Sequence, residues 1–112
     1  MKIAIPLTNG KLSMHFGHCE RIAFVDVSLT EKKVVKQEET RAPAHKPELL
    51  PPWLAQRGAN MIITRGMSRR TQGLFSQQGI QVVVGAPAET PERLVGVYLA
   101  AMPHTGEDAG VH

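Results

Sequence analysis

After residue 40 this chain switches repeatedly between helical and strand patterns, and that alternation leaves few folds open. Residues 47–57 carry Leu49, Leu50, Trp53 and Leu54 at helical spacing and stop at Gly58, a residue suited to the left-handed position past a helix end. Pro51 and Pro52 fit only the first turn of that helix. Residues 61–64 are a short buried strand. Ser68 can cap a second helix running through Leu74 and Phe75 to Gln78, with Gly79 closing it. Residues 80–84 form the last strand. Thr90-Pro91-Glu92 opens a third helix, with Leu94, Val95, Tyr98 and Leu99 on its inner face.

The first forty residues read as strands. Residues 3–7 are apolar, and residues 21–27 and 34–38 flank a polar turn at 29–33, so the latter two form a hairpin. Glu31, Lys32, Lys33, Lys36, Glu38 and Glu39 mark that hairpin as a solvated edge. The order is β-β-β-α-β-α-β-α. A meander of the first three strands makes strands one and three point the same way. Parallel, right-handed crossovers then place strand 61–64 beside strand one. The expectation is an α/β fold with a five-stranded mixed sheet and three main helices. It spans residues 1–102 as a single domain, with a polar tail at 103–112.

At 112 residues the chain can build one core and no more. One cysteine cannot form an intrachain disulfide, which fits a reducing compartment. Pro6 and Asn9 interrupt any signal-peptide core, and no apolar run is long enough for a bilayer. A cytoplasmic protein without membrane contact is expected. The net charge of +3 suits an anionic partner but does not by itself argue nucleic acid.

The topology predicts where chemistry collects. Strands one, three, four and five would exit at one end of the sheet, where open α/β sheets bind ligands. The first exit passes through the polar connection at residues 8–13 into Ser13, Met14, His15, Phe16, Gly17, His18 and Cys19. Two imidazoles and the single thiol fall within five positions there, and such donors bind transition metals. The spacing is not a zinc signature, because no second Cys/His pair completes four ligands. The other exits supply Arg41 and His45, then Arg65, Gly66, Met67, Ser68, Arg69 and Arg70 at a helix start. Unpaired backbone N–H groups and the helix dipole favour an anion at such a start. The loop from Asn9 to Cys19, polar and glycine-containing, is expected to be mobile without ligand.

These residues resemble the dinitrogenase iron–molybdenum cofactor biosynthesis family over nearly the whole chain. Ile3-Ala4-Ile5-Pro6 and His15-Phe16-Gly17 carry the likeness, with His15-Phe16-Gly17 the most specific. Pro43-Ala44-His45-Lys46-Pro47, Leu50-Pro51-Pro52-Trp53-Leu54 and Gly66-Met67-Ser68-Arg69-Arg70 support it by order and spacing. The resemblance implies a ribonuclease-H-like fold and a carrier of a metal–sulfur cluster rather than an enzyme. The implied cargo is iron–molybdenum cofactor, its precursors, or a mixed molybdenum–copper sulfide. His15, Gly17, His45 and Met67 match motif positions, whereas Ser68 stands where the family usually has Gly. Many relatives end in a tail containing Cys and His. The sequence here reads Gly110-Val111-His112, so ligation by a tail thiolate is not expected. Cys19 has no motif counterpart.

The leading expectation is therefore a non-enzymatic binder of an anionic, molybdenum-containing cluster. His15, His18, Cys19 and His45 are its candidate metal ligands; Ser13, Met14, Gly17, Arg65, Met67, Ser68, Arg69 and Arg70 complete the candidate site. A cluster that brings its own sulfide needs few protein ligands and can be held by charge-assisted hydrogen bonds. Its partners would be the cluster and a donor or acceptor protein, with the chain a monomer or weak homodimer. One alternative is a thiol enzyme using Cys19 with a nearby His. Another is a nucleic-acid-binding protein on a ribonuclease-H-like fold, although metal-dependent cleavage would need clustered carboxylates.

Overall fold

A computed structural model describes residues 1–14, 19–43 and 47–101. His15, Gly17, His18, His45 and the tail at 103–112 lie outside the described residues.

The strands are β1 (Lys2–Thr8), β2 (Lys11–Leu12), β3 (Arg21–Ser28), β4 (Lys33–Arg41), β5 (Met61–Ile63) and β6 (Gln81–Val83). The helices are α1 (Leu50–Gln56), α2 (Arg69–Gln77) and α3 (Pro91–Ala101). The sheet runs β4-β3-β1-β5-β6, with β2 attached to β1. β3 is antiparallel to both neighbours, and β5 is parallel to β1 and β6. β1, β4, β5 and β6 therefore point the same way, as the alternation of patterns predicts.

The expected sheet of five strands gains a sixth. Asn9 and Gly10 both have positive φ, 55° and 79°, and join Thr8 to Lys11 as a two-residue hairpin turn. Those angles are the type I′ signature, whose twist matches paired strands. Residues 8–13 are thus a hairpin rather than a plain connection.

β1 changes partners along one side. β5 pairs with Ile3 and Ala4, and β2 takes over at Leu7 and Thr8. Pro6 lies at that handover. Its carbonyl accepts from Ser13 N–H at 2.9 Å on the β2 side. In a strand the N–H and C=O of one residue point the same way, so the missing Pro6 donor costs the β1–β3 ladder nothing.

Alternation along the strands splits the core into two layers. Ile3, Ile5, Val25, Met61 and Ile63 pack under Leu94, Val95 and Leu99 of α3. Ala4, Ile22, Phe24 and Ile62 pack against Leu50 and Leu54 of α1 and Phe75 of α2. A three-residue 3-10 turn, Pro47–Leu49, precedes α1, so the helix proper starts later than the spacing suggests. Pro51 and Pro52 fall within its first turn. Gly58 and Gly79 adopt positive φ just past α1 and α2, as their positions predict.

Candidate functional site

From β1 the chain builds outward on one side through β3 and β4 and then returns to the other side at β5, and because β1 and β5 are parallel their carboxyl ends lie at the same end of the sheet. This is the switch point where open α/β sheets place ligands.

The histidine-bearing segment starts and ends there. Ser13 N–H donates to Pro6 O at 2.9 Å, and Glu20 N–H donates to Leu7 O at 2.8 Å. Both anchors of residues 14–19 thus sit at the end of β1, one on each side. Leu12 N–H also donates to Glu89 O at 2.9 Å, tying the hairpin to the loop after β6. Between these lies a cleft of about 490 Å³ lined by Thr8, Asn9, Lys11, Leu12, Ser13, Met14 and Ala88. Met14 stands at it 62% exposed, an unusual position for a thioether side chain. Ser13 is buried and accepts from Thr8 Oγ1 at 3.1 Å.

The exit of β5 is pinned to that of β6. Thr64, almost fully buried, donates from both its N–H and its Oγ1 to Val83 O. Gly85 N–H returns a bond to Arg65 O, and Ala86 N–H to Thr64 O. Ser68 then caps α2: its Oγ accepts from Thr71 N–H at 3.2 Å. Gln72 Nε2 donates to Met67 O at 2.8 Å. The N–H groups of Arg69 and Arg70, in the first turn of α2, have no carbonyl to meet within the helix. No acidic residue lies in that turn. Arg65, Arg69 and Arg70 are exposed, and among the described residues their guanidinium groups make no salt bridge or hydrogen bond. A second cleft, bounded by Glu48, Ser68, Arg70, Thr71 and Leu74, opens beside the helix start. Glu48 lines that cleft together with Arg70, so one carboxylate shares it with the guanidinium group.

Cys19 departs from its expected setting. It is 3% exposed and packs in the layer with Ala4, Ile22 and Phe24. Burial pushes its thiol pKa up and outweighs the lowering by a backbone hydrogen bond at Cys19. A reactive thiol needs the reverse, a depressed pKa and access. As a ligand or nucleophile Cys19 would have to leave its packing. Met67 is half-buried and touches the same layer, so it braces the entry to α2 from below.

The structure thus brings Ser13 and Met14 to the same sheet end as Arg65, Met67, Ser68, Arg69 and Arg70. Lys11, Thr64 and Gln72 were not among the sequence candidates. The Asn9-Gly10 dipeptide was the available signal for Lys11, whereas a buried Thr and a helical Gln carry none. No group of three or more His, Cys, Asp or Glu side chains converges among the described residues. No described helix is long and apolar enough to cross a membrane.

The class defined by fold and site is a small open mixed α/β sheet with a cationic helix start at one sheet end. The chain belongs to the dinitrogenase iron-molybdenum cofactor family, which matches residues 1–101. It is 29% identical over 85 residues to uncharacterised protein MJ0580 of Methanocaldococcus jannaschii, covering 73% of this chain and 72% of that protein. The crystal structure of PH0822 superposes with a TM-score of 0.81 at 27% identity, covering 89% of both chains. A Methanocaldococcus jannaschii protein described as a candidate dinitrogenase, MJ0327, matches with a TM-score of 0.68 at 19% identity, over 89% of this chain and 88% of that one. The likeness to MJ0327 speaks to fold alone.

Proposed function

We propose that this protein binds and carries an anionic, molybdenum-containing metal–sulfur cluster at the carboxyl end of the sheet, without catalysing a reaction. The observation that carries the reading is the start of α2. Arg65, Arg69 and Arg70 stand exposed beside backbone N–H groups with no helical acceptor, and no acid lies in the first turn. Like charge at a helix N-terminus is unfavourable unless an anion offsets it. The proposed cargo is iron–molybdenum cofactor, its precursors, or molybdenum–copper sulfide; each is an anionic cluster that supplies its own sulfide. Guanidinium and backbone N–H groups would hold it by charge-assisted hydrogen bonds. His15, His18 and His45 are the proposed coordinating or hydrogen-bonding imidazoles, with Gly17 allowing close approach.

Family membership supports the cluster and a donor or acceptor protein as partners. The sheet order supports a ribonuclease-H-like assignment. The buried thiol disfavours an enzyme built on Cys19. Titration with tetrathiomolybdate, alone and with Cu(I), followed by visible absorption and metal analysis, tests the reading. Stoichiometric, salt-sensitive binding is expected. Absence of binding by these probes and by iron–molybdenum cofactor would overturn it.

A further inference from the structure

Strand β4 is the outer edge of the sheet and, among the described residues, pairs with β3 alone. It is nine residues long, and only Gln37 and Thr40 are even half-buried. A long edge offers unpaired N–H and C=O groups to another strand. Edges are often blunted by lysine and by bulges, and β4 has Lys33, Lys36 and an irregularity where Val35 has no β3 partner. Its charges, however, are balanced in a self-complementary order, Lys36-Gln37-Glu38, and Val34 and Val35 are exposed beside them.

We propose that β4 pairs antiparallel with β4 of a second copy of this chain, on a twofold axis through Gln37, joining two sheets into one. In that register Lys36 of each copy lies opposite Glu38 of the other; outside this central block Val35 falls at the irregularity, and the strand ends bring Lys33 of one copy towards Arg41 of the other, a like-charged pair that the central square must outweigh. Within one copy Lys36 Nζ is already 3.4 Å from Glu38 Oε2. The four groups then form a closed square of alternating charge. A parallel, in-register arrangement would set Lys36 on Lys36 and Glu38 on Glu38, and moving the axis to Glu38 would set that carboxylate on itself. Charge therefore selects a twofold partner rather than an open stack. A one-residue slip, pairing Lys36 with Glu39, would turn the second copy's helices to the other face and break the continuous α3 layer.

Sedimentation of the full chain at rising concentration tests this, together with charge reversal. Glu38→Lys and Lys36→Glu should each weaken the dimer about tenfold or more, since each variant turns two attractive pairs repulsive. The double swap K36E/E38K should restore the wild-type constant. With diamide as the two-electron oxidant, Gln37→Cys should form an intermolecular disulfide, because residues facing each other across antiparallel strands have Cα atoms about 4.5–5.5 Å apart, within disulfide reach. Thr40→Cys should not. All four substitutions are at the edge strand, and circular dichroism checks that each of the five variants folds. A wild type monomeric at millimolar concentration overturns the proposal. So does a dimer indifferent to the single reversals, a swap that fails to restore it, or cross-linking at Thr40→Cys in preference to Gln37→Cys.

Discussion

Gln72 Nε2 donates to the carbonyl oxygen of Met67 at 2.8 Å across the entrance of α2. The bond is partly buried and closes the loop that presents Arg65, Arg69 and Arg70. Gln72→Ala should cost about 0.5–1.5 kcal/mol, the usual net worth of such a bond. It should also weaken tetrathiomolybdate binding, because the guanidinium groups lose their fixed base. Chemical denaturation and titration measure the two effects separately. A stability loss with unchanged affinity would show that the loop holds its shape without Gln72.

The arginine pair separates charge from coordination. Arg69→Ala with Arg70→Ala should weaken cluster binding more than His15→Ala or His18→Ala. Successive helical residues point about 100° apart, so one of the two arginines is expected to dominate. Losing one charge-assisted bond of about 1.5–3 kcal/mol costs about tenfold or more in affinity. Affinity should fall further as salt rises, since the groups are exposed. Titration at two ionic strengths decides. Indifference to both salt and the arginine pair would favour direct coordination by the imidazoles.

Cys19 gives a pH prediction. Its folded pKa is raised by burial, so the folded state holds the thiol proton more tightly than the unfolded chain does. The resulting stability is fully present below the ordinary thiol pKa and is lost as pH rises from there through the raised value. Cys19→Ala should flatten that alkaline decline in thermal melts. Cys19→Ser should keep most cluster uptake while losing stability to a buried hydroxyl. Abolished uptake in a folded Cys19→Ser protein would restore the thiol as a ligand.

Gly10 has φ of 79° with open space where a side chain would sit. Gly10→Ala should therefore cost about 1–2 kcal/mol from backbone strain alone. Gly66 also has open space but no positive φ, so Gly66→Ala should be close to neutral. Paired thermal melts compare them. Equal destabilisation would mean that the hairpin turn does not depend on its left-handed residue.

Much of the fold was legible because periodicity and punctuation agreed. Gly58 and Gly79 mark helix ends where they stand, and Ser68 caps α2 as its position suggests. The shared direction of four strands followed from that order alone. The sixth strand was legible too, in Asn9-Gly10, but its neighbours looked like a polar loop. Cys19 was misleading for a physical reason. Its proximity to two histidines in sequence says nothing of which way its side chain turns, and it turns into the core. Thr64 and Gln72 were silent because their value lies in bonds to Val83 and Met67, distant or local carbonyls that no pattern announces.

Pro6 carries a consequence for the histidine-bearing segment. A reciprocal pair of bonds would normally close a strand pair at this position, one from each residue. Proline cannot return the bond, so Ser13 is held to β1 by a one-way tether. A residue with an N–H at position 6 would turn the tether into a clasp. The chain at this point keeps the looser fastening, beside the segment that the proposed cargo would have to pass.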